Sequence, residues 1–258
     1  MREQSGSVEA FRESWRGRQE SQRYHFQRGA PQNQIQFAFQ SHWRVFRQVM
    51  GDIRSGRTLE VGCGRGSMSA FFTDAGFETH LLDTSHEVLK IAAANFTADG
   101  LAGRYVCGDA LALPYPSQTF DVVLSIGLLE HFAEIEQPLG EQVRVLRPGG
   151  LFLGYVVPEH RISVQTLAFP INAVLRLSHA IDRALKSSRS PNDPPKSPLY
   201  RNSYPSGAYL SVLRRLGVAD AGSFGMFPAP LISHSPGFPF SLMSPPLERA
   251  LVLSLIHI

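Results

Sequence analysis

Leu59-Glu-Val-Gly-Cys-Gly-Arg-Gly66 is the stretch that decides the fold of this chain. It continues a short apolar run, Thr58–Val61, and leads into a segment with helical spacing at about 66–75. Gly62, Gly64 and Gly66 let the backbone turn sharply and approach a ligand closely, where a Cβ would collide. The spacing is Gly-x-Gly-x-Gly, one residue short of the fingerprint of dinucleotide-binding folds. Glu60 stands at the strand end, where it would repel a pyrophosphate, and Asp83 ends the next apolar run at the place of a ribose contact. Strand, glycine turn and two acids together argue against a nicotinamide-dependent oxidoreductase.

Outward from this point the texture is regular. Apolar runs at Thr58–Val61, His80–Leu82, Arg104–Cys107, Asp121–Ile126 and Leu151–Val157 alternate with helical segments near 66–75, 85–97 and 134–146. That alternation predicts an α/β fold around a parallel sheet. Arg147-Pro-Gly-Gly150 reads as a turn that ends the last of these helices. Upstream, residues 1–56 are polar, rich in Arg and Gln and studded with aromatics, and are expected to form an N-terminal helical cap with its clearest helix over 36–50. Downstream of Val157 the alternation fails. A helical pattern at 171–186 precedes a Ser/Pro-rich stretch, 187–206, expected to be a mobile surface loop. A short helix at 206–216 and a Phe/Pro-rich region at 224–246 follow. The domain reading is therefore 1–56 cap, 57–157 core and 158–252 an insertion plus the rest of the same domain. Leu253–Ile258 resembles the translation of a sequencing-library adapter, so the natural chain is expected to continue beyond about Val252 with other residues.

Five motifs, in order and at matching intervals, resemble the class I S-adenosylmethionine-dependent methyltransferases, within them the methyltransferase type 11 group. They are LEVGCGRG (59–66), LLDTS (81–85), GDALALP (108–114), FDVVLSIGLLEHF (120–132) and RVLRPGG (144–150). The resemblance covers about residues 55–157. It implies a Rossmann-like sheet of order 3-2-1-4-5-7-6, with S-adenosylmethionine at the carboxyl ends of the strands. A sixth strand is expected near 218–226, and the seventh is expected to be missing, because the sequence that remains reads as the start of a helix.

The resemblance also assigns roles. Glu60 would accept hydrogen bonds near the cationic methionine end of the cofactor, and Gly62, Cys63, Gly64 and Gly66 would pass beneath its methionine and ribose parts. Asp83, with Thr84 beside it, would accept from both ribose hydroxyls, a bidentate task suited to a carboxylate. Asp109 would take the adenine amino group, Ala110 would address a ring nitrogen through its backbone, and Ser125 and Ile126 would border the methionine moiety. Helix capping or turn formation is the competing explanation for Asp83 and Asp109. On the acceptor side His131 is the general-base candidate, with anchoring of its own turn as the alternative, and Glu159-His160 faces the same crevice. No metal site is expected.

The net charge of +3 over 258 residues divides unevenly: +4 over 1–56, −6 over 57–157 and +5 over 158–258. An acidic centre suits a ligand with a sulfonium and an ammonium. The basic flanks, Arg176, Arg183 and Lys186 among them, read either as the solvated side of a lid helix or as a surface for a small-molecule acceptor that is anionic or lipid-linked, with peripheral membrane contact. Nucleic acid is a weaker expectation, since no RNA-binding module accompanies the aromatics of the N-terminal region. Methylation of RNA or protein, and a non-catalytic cofactor-binding scaffold, are the rival readings. Two cysteines, no apolar run long enough to span a bilayer and a polar amino end give the expectation of a reducing, cytoplasmic compartment.

Overall fold

The five runs read as strands form one parallel sheet in the computed structural model, which describes residues 25–31, 34–156 and 200–224. Strands β1 (Arg57–Val61), β2 (Glu78–Asp83), β3 (Arg104–Cys107), β4 (Phe120–Ile126) and β5 (Leu146–Tyr155) lie in the order 3-2-1-4-5. Helices α1 (Gln34–Met50), α2 (Ser67–Asp74), α3 (His86–Ala98), α4 (Glu136–Val145) and α5 (Ser206–Arg215) accompany them, with a 3₁₀ turn at Leu129–His131. Central strands covered on both faces need unbroken apolar runs, and Leu59, Val61, Val122, Val123 and Leu124 are all fully buried. Phe46 and Met50 of α1, Phe72 of α2 and Phe96 of α3 pack with Val122, Leu124 and Leu153 on one face. Leu59, Val61, Val123 and Val145 occupy the other. The chain runs from β1 outward to β3 and then crosses back to β4. The order therefore reverses between β1 and β4, and a ligand crevice is expected outside their carboxyl ends.

At the opposite, amino end of the sheet, Arg147-Pro-Gly-Gly150 is not the expected turn between helix and strand. β5 already begins at Leu146, paired with Phe120, and the register resumes at Leu151 opposite Val122. Residues 147–150 bulge outward against Asp121. Pro148 has no N–H to give to a ladder, and Gly149 takes a left-handed φ of +73°. The buried Asp121 carboxylate pairs with the Arg147 guanidinium and accepts the Arg57 N–H at 2.6 Å, so one side chain ties β1, β4 and β5 together.

The segment before α5 also departs from expectation. Residues 200–205 belong to the stretch read as a mobile loop, yet Asn202 is only 3% exposed. Its N–H donates to Glu130 O at 2.6 Å, and its Nδ2 donates to Phe132 O at 2.9 Å and Leu129 O at 3.2 Å. Its Oδ1 accepts from the Tyr209 hydroxyl at 2.9 Å. A buried amide with every partner matched fixes the strap to the turn after β4. Asn202→Ala would orphan carbonyls and a hydroxyl at once, so a loss of about 2 kcal/mol is expected, or roughly 4–8 °C in thermal midpoint. A midpoint shifted by less than about 2 °C would mean that the strap is not held this way. Residues 218–224 form no strand, which removes most of the sixth strand expected at 218–226. The helix expected at 171–186, the seventh-strand region and the 253–258 tail lie outside the described residues. Among the described residues no helix is long and apolar enough to cross a membrane.

Candidate functional site

β1 and β2 end side by side, and each delivers a carboxylate to the glycine turn. Glu60 is 3% exposed, on the α2 face of the sheet, where its Oε2 accepts the Ser69 N–H at 2.9 Å and the Ser69 hydroxyl. Asp83 braces the turn itself, accepting the Gly64 N–H at 3.1 Å through Oδ2 and the Ser85 N–H at 3.0 Å through Oδ1. Gly62, Gly64 and Gly66 all take positive φ, which explains the glycine spacing in backbone terms. Cys63 lies buried between the two acids and Thr84 follows Asp83.

The electrostatics are unusual for a solvated loop. Burial pushes the Glu60 carboxyl up to about 7, against the two Ser69 bonds, and the nearby Asp83 adds repulsion. Burial likewise raises Asp83, against backbone N–H bonds, and the Cys63 thiol rises well above its ordinary value through burial and both acids. Among the described residues no Lys, Arg or His pairs with Glu60 or Asp83. A buried and a half-buried acid without a counter-cation among the described residues make a donor set that fits a cationic ligand.

Because Glu60 binds its proton more tightly folded than unfolded, it supports folding fully below pH 4.5, and that support fades as pH rises to about 7. Asp83 contributes with the same sign. Glu60→Gln is expected to flatten stability between pH 5 and 8 and to raise it at pH 8 by at most about 3 kcal/mol. Unfolding curves at several pH values check this; an unchanged slope would show that Glu60 ionises as freely folded as unfolded.

The remaining expected residues are distributed differently. Asp109 is exposed, and its Oδ1 accepts the Leu111 N–H at 2.9 Å in a side-chain turn; Ala110 beside it is buried. Ile126 shares the Glu60 face. Ser125, one residue before, points to the opposite face, fully buried, with its hydroxyl unpartnered among the described residues. The structure thus groups Glu60, Cys63, Asp83 and the glycines and leaves Ser125 apart. His131 is 7% exposed, and its Nδ1 lies 2.6 Å from Tyr200 O. A carbonyl only accepts, so Nδ1 carries the proton and Nε2 the lone pair. Burial lowers the ring's pKa and keeps it neutral. Glu159-His160 lies outside the described residues. No group of three His, Cys, Asp or Glu side chains is arranged to hold a metal among those described.

Two residues near the crevice were not singled out from sequence: His42 on α1 and Tyr155 at the end of β5, with ring centroids 4.7 Å apart. The available signal was a histidine within the apolar stripe formed by Ala38, Val45 and Phe46.

Residues 59–154 match the family model described as a methyltransferase domain. An uncharacterized methyltransferase of Mycolicibacterium paratuberculosis is 30% identical over 213 residues, 81% of this chain and 78% of that protein. A sterol 24-C-methyltransferase of Neurospora crassa is 33% identical over 136 residues, 50% of this chain but 35% of that protein. The chain spans less than half the length of several curated relatives that it matches. Among solved structures, one titled a putative methyltransferase from Bacillus halodurans aligns with a TM-score of 0.50 and 21% identity. It covers 69% of this chain and 68% of that one, a likeness of fold.

Proposed function

Since the chain belongs to the class I S-adenosylmethionine-dependent methyltransferases, we propose that it transfers the cofactor's methyl group to a small-molecule acceptor. The observation that carries this reading is the pair of carboxylates, the buried Glu60 and the half-buried Asp83, converging on a left-handed glycine turn with no basic partner among the described residues. S-adenosylmethionine supplies a methyl made electrophilic by its sulfonium and leaves as a neutral thioether.

This chain's residues would bind and align. Asp83 spends one lone pair of each oxygen on Gly64 and Ser85, and a carboxylate has about four such sites, so two remain for the ribose hydroxyls. Glu60 uses Oε2 for Ser69, and its Oε1 would accept from the ammonium end. Gly62, Cys63, Gly64, Gly66 and Thr84 shape the floor. Asp109, with Oδ1 engaged by Leu111, offers Oδ2 to the adenine amino group, while Ala110 addresses the ring through its backbone. Ile126 borders the methionine part, and Ser125 supports that wall from the far face. His131, held through Nδ1, is the proposed proton acceptor, a role worth roughly 10²–10⁴-fold. Alignment of donor and acceptor supplies much of the remaining acceleration.

The acceptor in this reading is lipid-linked or otherwise apolar, which the likeness to a protein named for a sterol supports. The anionic alternative rests on the basic helix expected at 171–186, outside the described residues. Labelled methyl transfer from S-adenosylmethionine into fractionated cell extract is the test. Label in a small organic-soluble product is the expected result; label confined to RNA or protein would overturn the acceptor class, and none at all would overturn the activity.

A further inference from the structure

His42 is 9% exposed, and neither of its ring nitrogens has a hydrogen-bond partner among the described residues. The Tyr155 hydroxyl opposite has none either. A neutral imidazole offers one donor and one acceptor, and a phenol one of each, none of them spent on a described residue. A phenylalanine at position 42 would fill the same place without offering either. The polar tips therefore point to a ligand.

Their setting defines it further. The rings of His25, Phe39, His42 and Tyr155 follow one another with centroids 5.1, 6.0 and 4.7 Å apart. The row starts where the His25 N–H bonds Ser67 Oγ at 3.0 Å, at the first residue of α2 just past the glycine turn. It ends at Tyr155, which pairs with Ile126 at the carboxyl end of β4. It thus runs from the residue that follows the glycine turn to the carboxyl end of β5. Burial drives the His42 pKa down to about 4, so the imidazole stays uncharged, and the Glu130 carboxylate adds a negative field at Tyr155. An anion is disfavoured on both counts.

We propose that His42 and Tyr155 form the acceptor subsite, holding an uncharged hydroxyl of a flat, ring-bearing acceptor between the imidazole and the phenol. The hydroxyl donates to the lone-pair nitrogen of His42 and accepts from the Tyr155 O–H, while the tilted rings of the row offer edges and faces to the acceptor's ring. This rests on the methyltransferase reading only in calling the bound hydroxyl compound the acceptor.

The probe is 2-naphthol, uncharged at pH 7, against 2-naphthoate, its anionic counterpart, titrated into the full chain by calorimetry with and without S-adenosylhomocysteine. Naphthol is expected to bind at least about tenfold more tightly than naphthoate. His42→Phe and Tyr155→Phe, which keep the rings, should each weaken naphthol about tenfold while leaving S-adenosylhomocysteine affinity within about twofold. No naphthol binding, equal binding of naphthoate, or variants that bind naphthol like the wild type would overturn the subsite. Naphthol bound by a protein that ignores S-adenosylhomocysteine would leave the subsite standing and remove the methyltransferase reading instead.

Discussion

Asp83→Ala is expected to weaken S-adenosylhomocysteine binding by at least about 100-fold, read by calorimetry, with the fold retained. Two hydroxyl donors on an ionised acceptor contribute about 1.5–3 kcal/mol each, and 100-fold corresponds to about 2.7 kcal/mol. The same substitution releases the Gly64 N–H, so the glycine turn loses its brace as well as its ribose contact. Folding should suffer less, since burial already holds the Asp83 carboxyl above its ordinary pKa and removing it relieves an unpaired charge. Asp83→Asn tests the account from another side. One amide oxygen cannot serve both the Gly64 and Ser85 N–H groups, and the amide nitrogen would face a donor, so an intermediate loss of about tenfold is expected. An alanine variant binding within about fivefold of wild type would take Asp83 out of the site.

Gly66→Ala is the corresponding expectation for stability. Gly66 has φ +76°, a left-handed conformation that costs an L-residue about 1–2 kcal/mol. A Cβ there would stand 2.8 Å from Leu81 Cδ2 and 2.9 Å from Phe96 Cε2. Both side chains are completely buried and have nowhere to retreat, which adds about 1–3 kcal/mol of overpacking. A total near 4 kcal/mol, a large share of a typical domain's stability, would lower the thermal midpoint by about 8–16 °C. Gly76→Ala separates the two causes. Gly76 has φ +93° but nothing within 4 Å of the added Cβ, so strain alone should cost about half as much. Equal losses at the two positions would show that crowding by Leu81 and Phe96 is not felt.

The strands, the glycine turn and the two acids were legible because each follows from local spacing. Continuous apolar runs mark central parallel strands, and a residue forced to positive φ is written as glycine. Arg147–Gly150 was misread because a turn and a bulge call on the same proline and glycine chemistry; only the pairing of Leu146 with Phe120 tells them apart. Asn202 sits in a Ser/Pro-rich stretch, and its burial comes from carbonyls about 70 residues away, which no local window contains. Ser125 follows the strand's alternation to the far face, so nearness to Ile126 in sequence did not place it with Glu60. His42 was hidden by its own helix, because a histidine in an apolar stripe looks like an ordinary amphipathic position.

The pairing of Thr58 with Val122 carries a consequence for how the protein is made. β1, β2 and β3 can associate as soon as they leave the ribosome, but the other edge of β1 waits for a strand encoded 64 positions later. At roughly 5–20 residues per second that wait lasts about 3–13 s. Throughout it the nascent chain presents an unpaired row of N–H and C=O groups flanked by Leu59 and Val61, a template for intermolecular pairing. Translation speed between codons 83 and 120 therefore sets the exposure of that edge, and slow codons there should divert more of the product into inclusion bodies than slow codons after 126.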